Sequence, residues 1–192
     1  MPPHDIIIAE TRAWVNRAVI GLNLCPFAKA VTVKNQIRYV VTEAESPAAL
    51  REVFCDEIRF LLAAKPSAVD TTLLIHPRTL TDFLDYNDFL AVAEDALAEL
   101  GCEGILQVAS FHPQYRFAGT AAEDVSNATN RSPYPTLHLL REASVSRAVA
   151  AFGNTETIFE ANIRTLKALG ANGWAALQAQ CRKDATDASK SE

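Results

Sequence analysis

The chain has 192 residues, 49% apolar and 21% charged, which suits one globular domain at about 150 residues per domain and excludes disorder or low complexity for its bulk. Eighteen Lys and Arg against twenty-three Asp and Glu leave a net charge of −5. A field of that sign repels phosphate backbones and anionic headgroups, so neither nucleic acid nor a membrane surface is an expected partner, while a local basic pocket for a small anion is allowed.

The start, Met1-Pro2-Pro3-His4-Asp5 followed by Ile6-Ile7-Ile8-Ala9, lacks the basic and long apolar regions of a secretion signal. No apolar run approaches the roughly 18 residues that span a bilayer. Cys25, Cys55, Cys102 and Cys181 are far apart and none forms a Cys-x-x-Cys pair. The expectation is a cytoplasmic protein with reduced thiols, not a disulfide framework or a zinc ribbon. Cys55, Cys102 and Cys181 read as small hydrophobes.

Apolar steps of three and four predict an amphipathic helix over 5–22, with Asp5 as its cap, before Cys25-Pro26-Phe27 interrupts. Ile37–Thr42 reads as a strand, and Val31–Lys34 as an antiparallel strand hairpinned onto it. Ser46-Pro47 opens a helix with Leu50, Phe54, Ile58 and Leu61 on one face. Thr71–Ile75 is a strand ending in His76-Pro77. A helical stretch from Leu80 to Leu100 stops at Gly101. Ile105–Ser110 is the next strand, ending in Phe111-His112-Pro113.

Residues 114–131 carry little apolar periodicity, and a structureless stretch of that length is often functional. Ser132-Pro133 then predicts a helix containing Leu137, His138, Leu140 and Glu142. Asn154 or Thr155 caps another over 156–169, closed by Gly170, and a short one surrounds Trp174–Cys181. The fold class is α/β: a small, mainly parallel three- or four-stranded sheet with crossover helices and helical extensions at both ends. Residues 1–182 form a single domain and 183–192 a disordered polar tail.

Two strands end in His-Pro, and parallel strands would bring both imidazoles to one carboxyl edge, where open sheets place ligands. His76 and His112 are therefore candidate acid/base residues or metal ligands; the alternative is a pair of strand stops with satisfied rings. Asp124 is the best-placed carboxylate of the long loop. Cys25 is a candidate nucleophile if it caps a helix beginning at Pro26, and otherwise a buried inert thiol. Asn127, Asn130, Arg131, Ser132 and Tyr115 are the candidate anion-binding residues, with Ser132 or Thr136 capping a helix whose N–H groups would seat an anion beside Arg131. His138 and Glu142, four apart, are a metal pair or a hydrogen-bonded pair on that helix.

Asn23-Leu24-Cys25-Pro26-Phe27, Leu74-Ile75-His76-Pro77, Ser110-Phe111-His112-Pro113-Gln114-Tyr115 and Asn130-Arg131-Ser132-Pro133-Tyr134-Pro135 together resemble the bacterial family catalogued as domain of unknown function 1415. The resemblance covers the chain from the first helix to about Trp174 and implies no activity, cofactor or catalytic residue.

The leading functional expectation is a small-molecule enzyme, a hydrolase or group transferase, acting on an anionic metabolite at a His/Arg/Asn pocket on the carboxyl edge of the sheet. One alternative is a transition-metal protein using His76 and His112 with Cys25, His138 or Asp124. Another is a non-catalytic ligand or partner module presenting Tyr115, Phe117 or Tyr134. The sequence names no cofactor.

Overall fold

The computed structural model describes the backbone of residues 2–152 and 155–189. Four strands form one sheet in the order β1 (Ile37–Val41), β2 (Thr71–Ile75), β4 (Thr136–Arg141), β3 (Leu106–Phe111). Only β1 and β2 pair in parallel; β4 is antiparallel to both β2 and β3. The sheet is mixed, which corrects the expectation of a mainly parallel one. Because β2 and β3 are each antiparallel to β4, they still point the same way.

The correction traces to one segment. Leu137 and Leu140, three apart, and Val145 and Val149, four apart, mimic a helix, yet Leu137 and Leu139 are fully buried while His138 and Leu140 between and beyond them are less so. That is the two-residue period of a strand. Ser132 does not cap a helix either, since its hydroxyl donates to Tyr134 O at 2.6 Å. The helix begins later, as α5 (Glu142–Phe152), so the proposed anion seat at Ser132 or Thr136 has no helix N-terminus behind it.

Some local signals hold and others do not: the N-terminal helix starts at His4 after Pro3 with no side-chain cap, so Asp5 does not cap it. Ser46 caps α3 (Pro47–Ala63), accepting from Ala49 N at 3.2 Å, and Asp82 caps α4 (Phe83–Glu99), accepting from Leu84 N at 2.8 Å. The N-terminal helix is α1 (His4–Trp14), which continues as a π-helical turn over Val15–Ile20. Val31–Lys34 is not a strand: α2 (Ala28–Val33) takes that place, and β1 has no hairpin partner.

Strand alternation sorts the core into two layers. Val40, Leu74, Leu137 and Leu139 face α3 and α4, where Leu50, Phe54, Ile58 and Phe89 meet them. Ile37, Tyr39, Leu73 and Phe111 face α1 and α6 (Thr155–Ser189), with Trp14, Leu166 and Trp174. The architecture is helices on both faces of a mixed sheet, with α1 packed along α6. Among the described residues, no helix is long and apolar enough to cross a membrane.

Gly170 ends the first part of α6 as expected, but the helix resumes and runs to Ser189, so 183–189 is helical where a disordered tail was expected. Residues 190–192, and the side chains of the Asn154 or Thr155 cap, lie outside the described residues. Gly170 has φ 71° and ψ 171°, a combination open essentially to glycine alone. A Cβ there would meet nothing within 4 Å, so substitution costs backbone strain without a clash. Gly170→Ala is expected to lower unfolding stability by about 1–3 kcal/mol in urea titrations. An unchanged midpoint would show that the two halves of α6 do not depend on that kink.

Candidate functional site

His76 and His112 leave β2 and β3 at the same edge, on either side of the chain entering β4. Their backbone N–H groups donate to that incoming segment, His76 to Pro135 O at 3.0 Å and His112 to Asn130 O at 3.1 Å. Strand alternation carries both rings to the α4 side, against Tyr86. The Tyr86 ring stacks on His76 with centroids 5.7 Å apart and is tilted against His112 at 5.1 Å. Its hydroxyl donates to Thr136 O at 2.8 Å and accepts from Phe111 N at 3.0 Å, joining the ends of β4 and β3. Burial pushes the Tyr86 pKa up, which keeps the proton this bridge needs.

The two imidazoles converge but are closed to solvent, each with 0% of its surface exposed. Gln114 N donates to His112 Nδ1 at 3.0 Å, so the ring carries its proton on Nε2, which donates to Leu80 O at 3.2 Å. His76 donates from Nδ1 to Thr79 O at 2.9 Å, leaving Nε2 buried without a partner among the described residues. Desolvation lowers the pKa of both, that of His76 to about 4; His112's proximity adds to this and the Thr79 carbonyl opposes it. His138 sits on the other face of the sheet, its Nε2 2.6 Å from Thr71 Oγ1, and burial likewise lowers its pKa to about 4. Since Thr71 Oγ1 donates to Leu139 O at 2.5 Å, it accepts from His138.

The remaining predicted residues knit the 113–131 segment together. Asn127, fully buried, accepts at Oδ1 from Phe117 N and Thr120 Oγ1 and donates to Ala121 O. Asn130 donates to Ser110 O at 3.1 Å. Asp124 caps a 3-10 turn over Val125–Asn130, accepting from Ser126 N at 2.9 Å, and that contact lowers its pKa. Tyr115 is half-buried with its ring edge-on to Phe83 and Phe117. Cys25 lies ahead of α2, which starts at Ala28 and not at Pro26, and burial raises its pKa away from thiolate. Among the described residues, no three His, Cys, Asp or Glu side chains gather closely enough to hold a metal.

Arg131 and Ser132 do reach a hollow, on the opposite face from the two sheet-edge histidines. A cavity of about 230 Å³ opens between α1, α6 and the 131–133 segment. Glu10 and Trp14 line it from α1, one turn apart. Trp174, Leu177, Gln178, Cys181 and Arg182 line it from one face of α6, and Pro113 and Pro133 complete the wall. Arg131 is oriented by donating from Nε to Tyr115 O at 3.2 Å and from Nη2 to Ala122 O at 2.6 Å. Glu10 accepts from Tyr134 Oη at 2.8 Å, and burial together with that carboxylate raises the Tyr134 pKa so that it stays a donor. Arg182 is exposed and forms no ion pair among the described residues. Burial lowers the pKa of Arg131, which also feels the charges of Asp124 and Glu123.

Residues 6–176 match the family described as Protein of unknown function (DUF1415). The chain belongs to that family. No curated protein matches it, and neither does any solved structure. The DUF1415 span takes in Glu10, Trp14, Arg131, Ser132 and Trp174, and stops just short of the Leu177–Arg182 part of the cavity wall.

The α6 lining was present in the sequence as the i, i+3, i+4, i+7, i+8 series 174, 177, 178, 181, 182, which mixes tryptophan with arginine and glutamine on one face. Read only as a short helix around Trp174–Cys181, it gave no reason to pair it with Arg131. A second hollow, of about 450 Å³, lies between the start of α4 and residues 116–120 and has Arg116 as its one charged lining residue.

The sealed histidines set a pH dependence. Folded His76 takes a proton only near pH 4, whereas the unfolded ring does so near its ordinary 6.5, so the unfolded state carries the extra proton between these values. The full stability is present above pH 6.5 and declines as pH falls toward 4. His138 acts in the same direction, but the residue keeps some exposure, so we rest the expectation on His76. Urea titrations should show a loss of about 2 kcal/mol between pH 6.5 and pH 5. His76→Leu should make that slope shallower, whatever it does to stability at pH 7. Equal slopes in both proteins would mean that the His76 ring reaches solvent.

Proposed function

We propose that this chain binds a small anionic molecule in the cavity between α1, α6 and residues 131–133. The supporting observation is that Arg131, held by two backbone carbonyls, meets Arg182 and both tryptophans of the chain in one hollow. In a protein of net charge −5, Arg131 and Arg182 are the cationic groups of this hollow, and a guanidinium held in place is a natural partner for an anion. Ligand sites are commonly concave, mostly apolar and equipped with few oriented polar groups, and this cavity has that composition. The 116–120 hollow lacks an oriented cation.

Binding, not turnover, is the reading the geometry supports. An acid/base role for His76 and His112 needs a path from ring nitrogen to substrate, and His112 has both nitrogens engaged while His76 Nε2 is buried on the far side of the sheet. The pair therefore acts as architecture that fixes the segment carrying Arg131. Four free cysteines, three of them buried, support a reducing, cytoplasmic setting.

Tryptophan fluorescence reports directly on the proposal, because Trp14 and Trp174 are the two indoles of the chain and both line the cavity. Titration with acetate, benzoate, inorganic phosphate and citrate should give a saturable change for at least one of them. Arg182→Gln should weaken that binding by about tenfold while leaving the circular dichroism unchanged. No saturable change from any of the four, or one indifferent to Arg182, would contradict the reading.

A further inference from the structure

Resting on that reading, we propose that the anionic group held in this cavity is the carboxylate of a small apolar α-amino acid, whose ammonium group meets Glu10. Glu10 lines the same hollow as Arg131 and Arg182, yet none of the three forms an ion pair among the described residues. Opposite charges that share a hollow without touching leave room for a ligand that carries both. Glu10 Oε2 accepts from the Tyr134 hydroxyl at 2.8 Å, and Oε1 takes no hydrogen bond among the described residues. Arg131 spends Nε and Nη2 on the carbonyls of Tyr115 and Ala122, and its Nη1 has no acceptor among the described residues.

The charges of Glu10 and Arg182 lie close together. Tyr134 feels Glu10 through a direct hydrogen bond and Arg182 through its field, and the Cys181 thiol on the cavity wall feels both. Carboxylate and guanidinium thus flank one patch of wall, which suits the short separation of carboxylate and ammonium in an α-amino acid. Asp124 and Glu123 act on Arg131 without lining the cavity. With three carboxylates around two guanidinium groups, a lone anion meets repulsion along with attraction, whereas a zwitterion turns Glu10 from an obstacle into a partner. Trp174, Leu177 and Pro133 supply apolar wall for a side chain. The volume, about 230 Å³, is below the range of about 300–1,000 Å³ typical of drug-sized ligands, so the molecule is small.

The test is isothermal titration calorimetry of the full chain with L-leucine and L-valine, against isocaproate and isovalerate, the same molecules without the amine. At least one amino acid should bind saturably, and about tenfold or more tightly than its amine-free counterpart. Glu10→Gln, which keeps an oxygen for the Tyr134 hydroxyl, should erase that preference. It should weaken the amino acid about tenfold and leave the amine-free acid unchanged or tighter. Arg182→Gln should weaken both kinds of ligand. The comparison of ligands on the unaltered protein keeps the test independent of how the variants fold. An amine-free acid that binds as tightly as its amino acid, or an amino acid indifferent to Glu10→Gln, would overturn this inference and leave the anion-binding reading standing. Silence from all four would overturn the inference, and silence from the simple anions as well would overturn the reading beneath it.

Discussion

The antiparallel insertion of β4 between β2 and β3 is the constraint from which the rest of this structure follows. β1 and β2 point the same way and pair directly, whereas β2 and β3, which also point the same way, are joined through the opposed strand β4, and Thr136 is where that strand starts, opposite both Ile75 and Phe111. The chain leading into it must cross the carboxyl edge, and there its carbonyls at Asn130 and Pro135 take the backbone N–H groups of His112 and His76. Tyr86 from α4 completes the closure, its hydroxyl joining Thr136 and Phe111 where the ladder ends. A buried polar group in this position has to be satisfied, and here each backbone group finds its partner in a neighbouring strand end or side chain.

That closure divides two things that would otherwise share an edge. Residues of one parity on β2 and β3 lead to the histidines on the α4 side; the incoming segment, having crossed the edge, delivers Arg131 and Ser132 to the α1–α6 side. The helices there are held together independently of the sheet. Arg17 of the π-helical turn grips Asp184 of α6, whose carboxylate also accepts from Gln180, and Asn162 donates to Leu24 O at 2.8 Å from a buried position. The cavity thus sits between two elements fixed to each other and a segment fixed to the sheet. A preformed hollow of this kind loses little conformational entropy when it takes a ligand.

Much of this was legible in the sequence, and the misses have physical causes. The cap at Ser46, the strand limits at Thr71 and Ile75, and the stop at Gly170 are local chemistry, and local chemistry places them; the Asp82 cap, which starts α4 at Phe83 and not at Leu80, went unread. The common edge for His76 and His112 was also readable, because it depends only on strand direction. What failed was a segment in which two periods coincide. Leu137 and Leu140 fit a helix as well as a strand, and only pairing with β2 and β3 on both sides decides for the strand. With β4 missing from the plan, nothing indicated that the edge was closed or that Arg131 belonged to the other face. Asn127 and Asp124 illustrate the same limit: polar residues in a long loop read as ligands until their partners, Phe117 N and Ser126 N, come from within the loop itself.

The central claim is that anions bind on the α1–α6 face and not at the histidine edge. Crystals grown or soaked in bromide test it most directly, since anomalous scattering locates a monoanion without assuming its chemistry. The account predicts an ordered bromide within contact distance of Arg131 and Arg182, beside Trp14. Bromide absent from that cavity but ordered next to His76 or His112 would contradict it.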